Sequence, residues 1–177
     1  MKSIMASIIQ FTGLSGAGKT TIALEAQKAL APDCKVAIID GDVYRQLICS
    51  DLGFSRADRI ENIRRLGEVA QSMNNDFEVI IIAAINPFNE ARELLKIKYD
   101  AKLVHIDCDL DTLRQRDTKG LYRRAGLPDG HEQKIYNLTG INDVFEWPDH
   151  ADLSIDTGGE TIDLSIKKIL DFIKSTL

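Results

Sequence analysis

The chain has 177 residues, 44% of them hydrophobic, with 22 Lys and Arg against 27 Asp and Glu for a net charge of -5. That length suits one good core and is short for two, and the acidic balance argues against a general nucleic-acid or membrane-surface binder while allowing a small anion held by clustered Arg and Lys. Three scattered cysteines, Cys34, Cys49 and Cys108, signal neither a disulfide framework nor a zinc site, so a reducing cytosol is the expected setting.

A largely apolar run from Ile4 to Phe11 opens the chain and reads as a strand around Ile8, Ile9 and Phe11. It leads straight into glycines and not into a small-residue cleavage site, which excludes a signal peptide. Gly13-Leu-Ser-Gly-Ala-Gly-Lys-Thr20 follows, and Thr21 to Leu30 reads as a helix. Lys35 to Ile39 reads as a second strand ending at Asp40-Gly41-Asp42, with a short helix over 43–50 and a loop, Asp51 to Ser55, whose serine caps the next helix. From Arg56 to about Asn75 the pattern is helical, with Ile60, Ile63, Gly67 and Ala70 on one buried face and Arg59, Asn62 and Arg65 sharing another.

Phe77 to Ile85 reads as a central strand, apolar almost throughout; its longest wholly apolar run, Val79 to Ile85, is far too short to span a bilayer. Asn86-Pro87 ends it, a helix covers 89–98, Lys102 to Asp107 forms a fourth strand, and a short helix runs to Arg116. Asp117 to His150 has no clear periodicity and reads as a lid, because long irregular segments in compact domains usually serve function. Leu153 to Ile155 is a fifth strand, and Thr161 to Ile173 a closing amphipathic helix. Strands alternating with helices predict a three-layer α/β fold of the P-loop kinase type, with a parallel five-stranded sheet, in one domain over 1–177. His105 is read as structural, and His131 and His150 as solvated.

The glycine loop carries the chemistry. Gly, four residues, then Gly-Lys-Thr, between a strand and a helix, is the phosphate-loop pattern, and ATP is the expected ligand of Gly13, Leu14, Ser15, Gly16, Ala17, Gly18, Lys19, Thr20 and Thr21. Gly13, Gly16 and Gly18 permit backbone turns that aim N–H groups at phosphate, and the helix beginning near Lys19 adds its positive end. Lys19 supplies a mobile charge for the outer phosphates and the Thr20 hydroxyl a ligand for Mg²⁺. Asp40 and Asp42, at a strand's C-terminal end, lie where a parallel sheet places its ligands.

These motifs resemble the adenylylsulfate kinase family over nearly the whole chain. The resemblance rests on residues 13–21, on Asp40-Gly-Asp42 with Arg45, and on Asp51-Leu-Gly-Phe-Ser55. It continues through Asp58-Arg59, Glu61-Asn-Ile-Arg-Arg65, Gly67-Glu-Val-Ala70, Arg116-Asp117, Lys119-Gly-Leu-Tyr122 and Thr139-Gly-Ile141. It implies transfer of the ATP γ-phosphate to the 3′-hydroxyl of adenosine 5′-phosphosulfate, with Mg²⁺, and it suggests a homodimer. By resemblance Asp40 and Asp42 are catalytic with Lys19 and sit beside the acceptor hydroxyl and the magnesium shell, with Asp42 favoured over Asp40 as the general base. Arg45, Phe54, Arg59, Asn62, Ile85, Lys119 and Leu138 are implied to bind the acceptor, Phe54 by stacking on its adenine and Leu138 as the opposite wall.

The chain departs from the family at four places: Asn86 for the usual Ser, Asn89 for a common Arg (a second family Arg is matched by Arg92), Leu138 for the usual Phe, and the lid over 126–135. Asn86 cannot carry a phosphoserine, so transfer is expected to be direct. Two other readings accompany this one: a kinase of the same fold acting on another nucleotide acceptor such as a cytidine diphosphoramidate, and a non-catalytic ATP-binding module.

Overall fold

Residues 5–177 are described by the computed structural model, so Ile4, where the apolar N-terminal run begins, lies outside the described residues. The five apolar runs are strands β1 (Ser7–Thr12), β2 (Val36–Asp40), β3 (Val79–Ala83), β4 (Lys102–Asp107) and β5 (Leu153–Asp156). They form one sheet in the order β2-β3-β1-β4-β5, every neighbouring pair parallel. Parallel neighbours need crossover connections, which the helices supply: α1 (Lys19–Leu30), α2 (Gly41–Ile48), α3 (Arg56–Ser72), α4 (Asn89–Tyr99), α5 (Leu110–Arg116), α6 (Leu121–Ala125) and α7 (Ile162–Thr176).

The alternation of a strand divides the core in two. Ile9, Phe11, Ile81 and Ile106 pack under α1 and α7 with Ile22, Ala26, Ile169 and Ile173, while Ile8, Ile80 and Ile82 pack under α3 and α4 with Ile63, Leu66 and Leu95. Most of these side chains are fully buried, and each such Ile or Leu stabilises the fold by about 1.5 to 3 kcal/mol. Leu66 belongs to the buried face of α3, which its neighbours' spacing did not single out. Gly67 lies where α3 crosses α4 most closely; a Cβ there would stand 2.5 Å from Leu95 and 2.6 Å from Tyr99.

The strands end together. Phe11 of β1 and Asp40 of β2 both pair with Ala83 of β3, so the glycine loop, the first acidic residue of α2 and the turn after β3 emerge at one sheet edge. β3 ends at Ala83, two residues before its expected limit, because Ile85 and Asn86 turn away and Asn86 takes a left-handed conformation, φ 44°. Ser55 caps α3 as expected, and Asp58 completes a reciprocal capping box, an arrangement worth about 1 kcal/mol.

Residues 117–150 are more ordered than their lack of periodicity predicts. They contain α6, too short to show a period, whose Tyr122 hydroxyl donates to the Ser15 carbonyl at 2.7 Å. Beyond it, Asp143 is ion-paired to Arg59 at 2.5 Å, and Glu146 bonds Arg56 and the backbone of Pro87 and Asn89. The thiols of Cys34, Cys49 and Cys108 are free and buried, and burial pushes all three upward in pKa. Among the described residues no helix is long and apolar enough to cross a membrane.

Candidate active site

The strand ends open into a cleft of about 610 Å³. Ser15, Gly16, Gly18, Lys19, Thr20 and Thr21 line it from the glycine loop and α1, and Arg45, Phe54, Arg59 and Asn62 line it from α2, α3 and the loop between them; Asp40, Asp42, Ile85 and Lys119 line it as well. Thus most of the side chains singled out by sequence converge on one volume.

The loop follows from its glycines. Gly13 has φ 153°, and a Cβ there would overlap the Ile106 carbonyl, so only glycine lets β1 turn. Leu14 and Ala17, expected among the ATP contacts, point the other way and are buried in the core beneath α1; Gly13 also sits behind the cleft wall. The buried side chains of Leu14 and Ala17 anchor the loop. Gly18 is the N-cap of α1 and no side chain caps that helix, which leaves its first-turn amides without intrahelical partners at the cleft.

Lys19 is buried, and its ammonium donates to the Gly13 and Leu14 carbonyls at 2.9 and 2.8 Å. Burial lowers its pKa to about 8, against the opposing pull of Asp42. Thr20 Oγ1 donates to Asp40 Oδ2 at 2.7 Å, and Asp40 Oδ1 accepts from the amides of Asp42 and Val43 as the N-cap of α2. Asp40 is therefore both the helix cap and the partner of the threonine. Asp42, in the first turn of α2, keeps an exposed carboxylate whose partner is the Lys119 ammonium.

On the opposite wall Phe54 stands between two guanidinium groups, Arg45 at 4.5 Å and Arg59 at 5.4 Å from its ring centroid. Arg59 is fixed by the Phe54 and Asn137 carbonyls and by Asp143. Asn62 is buried, and its Oδ1 has no donor. Arg65 does not share this wall: it turns to Asp51 and Glu61 at 2.6 and 2.9 Å, and the Arg64 and Arg65 guanidiniums hold the Glu61 carboxyl down to about 2. Three residues of helix fall about 60° short of a full turn, so Arg59 and Asn62 reach the cleft and Arg65 has rotated past its edge.

Leu138 departs from expectation. It is 5% exposed, packs in the core with Leu14, Tyr122 and Ala125, and does not line the cleft. The turn that carries it, with its carbonyl accepting from Ile141, Asn142 and Asp143, directs the side chain inward. Leu138→Phe therefore overpacks a core position; it is expected to cost about 1 to 3 kcal/mol in chemical denaturation and not to tighten acceptor binding.

The far end of the cleft is lined by residues that sequence reasoning did not assign: Arg116, Thr118, Thr157, Glu160 and Ile162. Arg116 bonds the Thr157 carbonyl at 2.6 Å, and Thr157 Oγ1 donates to the Ala17 carbonyl at 2.7 Å, tying this end to the glycine loop. Arg116 lay within a recognised motif and could have been found, whereas Thr157 carries no sequence signal. His105 is buried beside Phe145 and Trp147, and burial lowers its pKa.

The family model described as adenylylsulphate kinase matches residues 5–156. An adenylyl-sulfate kinase of Pseudomonas aeruginosa is 40% identical over 96% of this chain and 86% of its own length. Among solved structures, the Mycobacterium tuberculosis APS kinase in complex with AMPPNP and APS superposes with a TM-score of 0.86 at 31% identity, covering 96% of this chain and 98% of that one. A hexameric APS kinase from Thiobacillus denitrificans superposes with a TM-score of 0.67 at 27% identity, over 98% of this chain and 29% of its own.

Proposed function

Because the chain belongs to the adenylylsulphate kinase family, we propose that this cleft transfers the γ-phosphate of ATP to the 3′-hydroxyl of adenosine 5′-phosphosulfate, with its two walls holding the two nucleotides. The activity is an ATP-dependent phosphotransfer to an alcohol, the class to which its relatives belong. The observation that carries the assignment of residues is the convergence of a phosphate loop, two carboxylates and the Arg45-Phe54-Arg59 group on a single volume.

In this reading the loop amides and Lys19 hold the triphosphate, and the first-turn amides of α1 face its negative charge. Thr20 and Asp40, already 2.7 Å apart, are the residues that would hold Mg²⁺ and its water shell. A magnesium ion held by these residues would supply positive charge against the phosphates and the leaving group. Asp42 orients the acceptor hydroxyl and takes its proton. Lys119, which now pairs with Asp42, moves onto the acceptor's anionic groups when the hydroxyl replaces it. Phe54 stacks on the adenine, Arg45 and Arg59 neutralise the phosphosulfate, and Asn62 Oδ1 receives the hydroxyl donor it lacks. With Asn86 in place of a serine, the phosphoryl group passes directly. The chain acts as one kinase domain with residues 117–150 over the cleft, and the homodimer belongs to the same reading.

The test is ADP release with a panel of acceptors. Turnover with adenosine 5′-phosphosulfate well above that with cytidine diphosphoramidate or water supports the assignment; preference for another nucleotide assigns the second wall differently, and no turnover with any acceptor leaves an ATP-binding module.

Affinity for ATP should fall as pH rises through about 8. In the free protein burial sets the Lys19 pKa near 8, while phosphate oxygens bind its charged form. Below pH 8 the cation is already present; above it, each binding event must take up a proton, so affinity falls by up to about tenfold per pH unit. Titration calorimetry with a non-hydrolysable ATP analogue from pH 7 to 9.5 measures this, and a flat profile would contradict the placement of Lys19 on the phosphates.

A further inference from the structure

We propose that Gln10 is a positioning residue for the acceptor wall, an inference that rests on the reading of the cleft given above. Gln10 is fully buried in the central strand β1, where only hydrophobic neighbours are expected. Strand alternation places it with Ile8 and Thr12 on the α3/α4 side of the sheet. Its amide nitrogen donates to the Arg92 and Ala101 carbonyls at 2.9 and 3.3 Å, and its amide oxygen accepts from Asn86 Nδ2 at 3.0 Å. All the capacity of this side chain that the bonds reveal is spent on α4, its following turn and Asn86 in the turn beyond β3.

Asn86 needs such a hold. Its left-handed conformation, φ 44°, is disfavoured for residues other than glycine and persists where the surroundings determine it. Its carbonyl accepts from Thr12 Oγ1 at 2.9 Å and from Arg92 Nε at 3.0 Å, and the preceding Ile85 carbonyl accepts from Thr12 Oγ1 and the Gly13 amide. Gln10 and Thr12 of β1, with the amide of Gly13 that follows it, therefore grip two consecutive residues of the turn, Ile85 and Asn86. Ile85, Asn86 and Pro87 form part of the cleft wall. Phosphate contacts depend on α1 and the loop, whose anchors Leu14 and Ala17 pack on the other face of the sheet. Gln10 thus controls the placement of the acceptor wall and leaves the ATP wall to other residues.

The test uses the full chain and two variants, Gln10→Leu, close in volume, and Asn86→Gly, which tolerates the same φ and leaves both carbonyl bonds of Gln10 in place. Each is expected to raise the KM for adenosine 5′-phosphosulfate about tenfold with the KM for ATP within twofold, and the double variant to match the worse single one, because the Gln10–Asn86 hydrogen bond is absent from all three. Amide hydrogen exchange over residues 85–88 should accelerate by at least tenfold in Gln10→Leu while the central strands keep their protection. Equal rises in both KM values, or unchanged acceptor KM and unchanged exchange, overturn the inference. If the natural chain does not phosphorylate adenosine 5′-phosphosulfate, the functional reading fails by itself, and the exchange measurement still decides whether Gln10 holds the turn.

Discussion

Lys19→Ala is expected to reduce phosphoryl transfer by about 10³ or more and to leave the fold standing. The variant removes the cation that the glycine loop itself supplies to follow the γ-phosphate through a loose transition state, and phosphoryl-transfer cations are typically worth about that much. Stability moves little because two effects of similar size oppose each other. The ammonium is buried with its pKa lowered to about 8, so at pH 7 the folded state bears the cost of keeping it charged, on the order of 3 kcal/mol. The sign follows from the depressed value: this cost is full below pH 8, fades as the pH rises from 8 towards the ordinary lysine value, and is absent above it. Against the relief of that cost stands the loss of the donor to the Gly13 and Leu14 carbonyls; Leu14 keeps the Ala17 amide, and a Gly13 carbonyl left unpaired costs about 1 to 3 kcal/mol. Single-turnover rates and a melting curve at pH 7 decide the matter. Turnover near that of the natural chain would remove the loop from the mechanism.

Asp42→Asn is expected to lower turnover by about 10² or more with ATP binding little changed, since the amide cannot accept the proton of the acceptor hydroxyl. The structure distinguishes the two carboxylates by what each already holds. Asp40 uses one oxygen for the Thr20 hydroxyl and the other for two amides of α2. Asp42 holds only the Lys119 ammonium at the cleft mouth, and its side chain is exposed. An acceptor hydroxyl can therefore reach Asp42 by displacing one mobile lysine, whereas reaching Asp40 would cost a helix cap. Asp40→Asn preserves capping, because asparagine caps as well as aspartate, so its effect should appear in the magnesium dependence of the rate. If Asp40→Asn is inactive and Asp42→Asn turns over normally, the two roles are exchanged.

Which features were legible in the chain follows from how local their causes are. All five strands lie in short, largely apolar runs and the glycine loop in one eight-residue motif, and each of these signals acts within a few residues. The capping of α3 by Ser55 is likewise a contact between residues three apart. The family motifs placed Arg45, Phe54, Arg59 and Asn62 on one list, and the structure places them on one wall. Periodicity alone had grouped Arg65 with them, although a helix turns by about 100° per residue and carries it off that wall.

Long-range packing decided the rest. The position of β1 between β3 and β4 depends on pairing across distant segments, and no local pattern encodes that choice. The inward direction of Leu138 depends on how an aperiodic segment docks against Tyr122 and Leu14, so a substitution matched to a motif predicted the wrong neighbour. Gln10 reads as one polar residue in an apolar run; its partners, Asn86, Arg92 and Ala101, lie 76 to 91 positions away. A strand's sequence records which faces are buried, and only the fold supplies the carbonyls and amides that a buried polar side chain must meet.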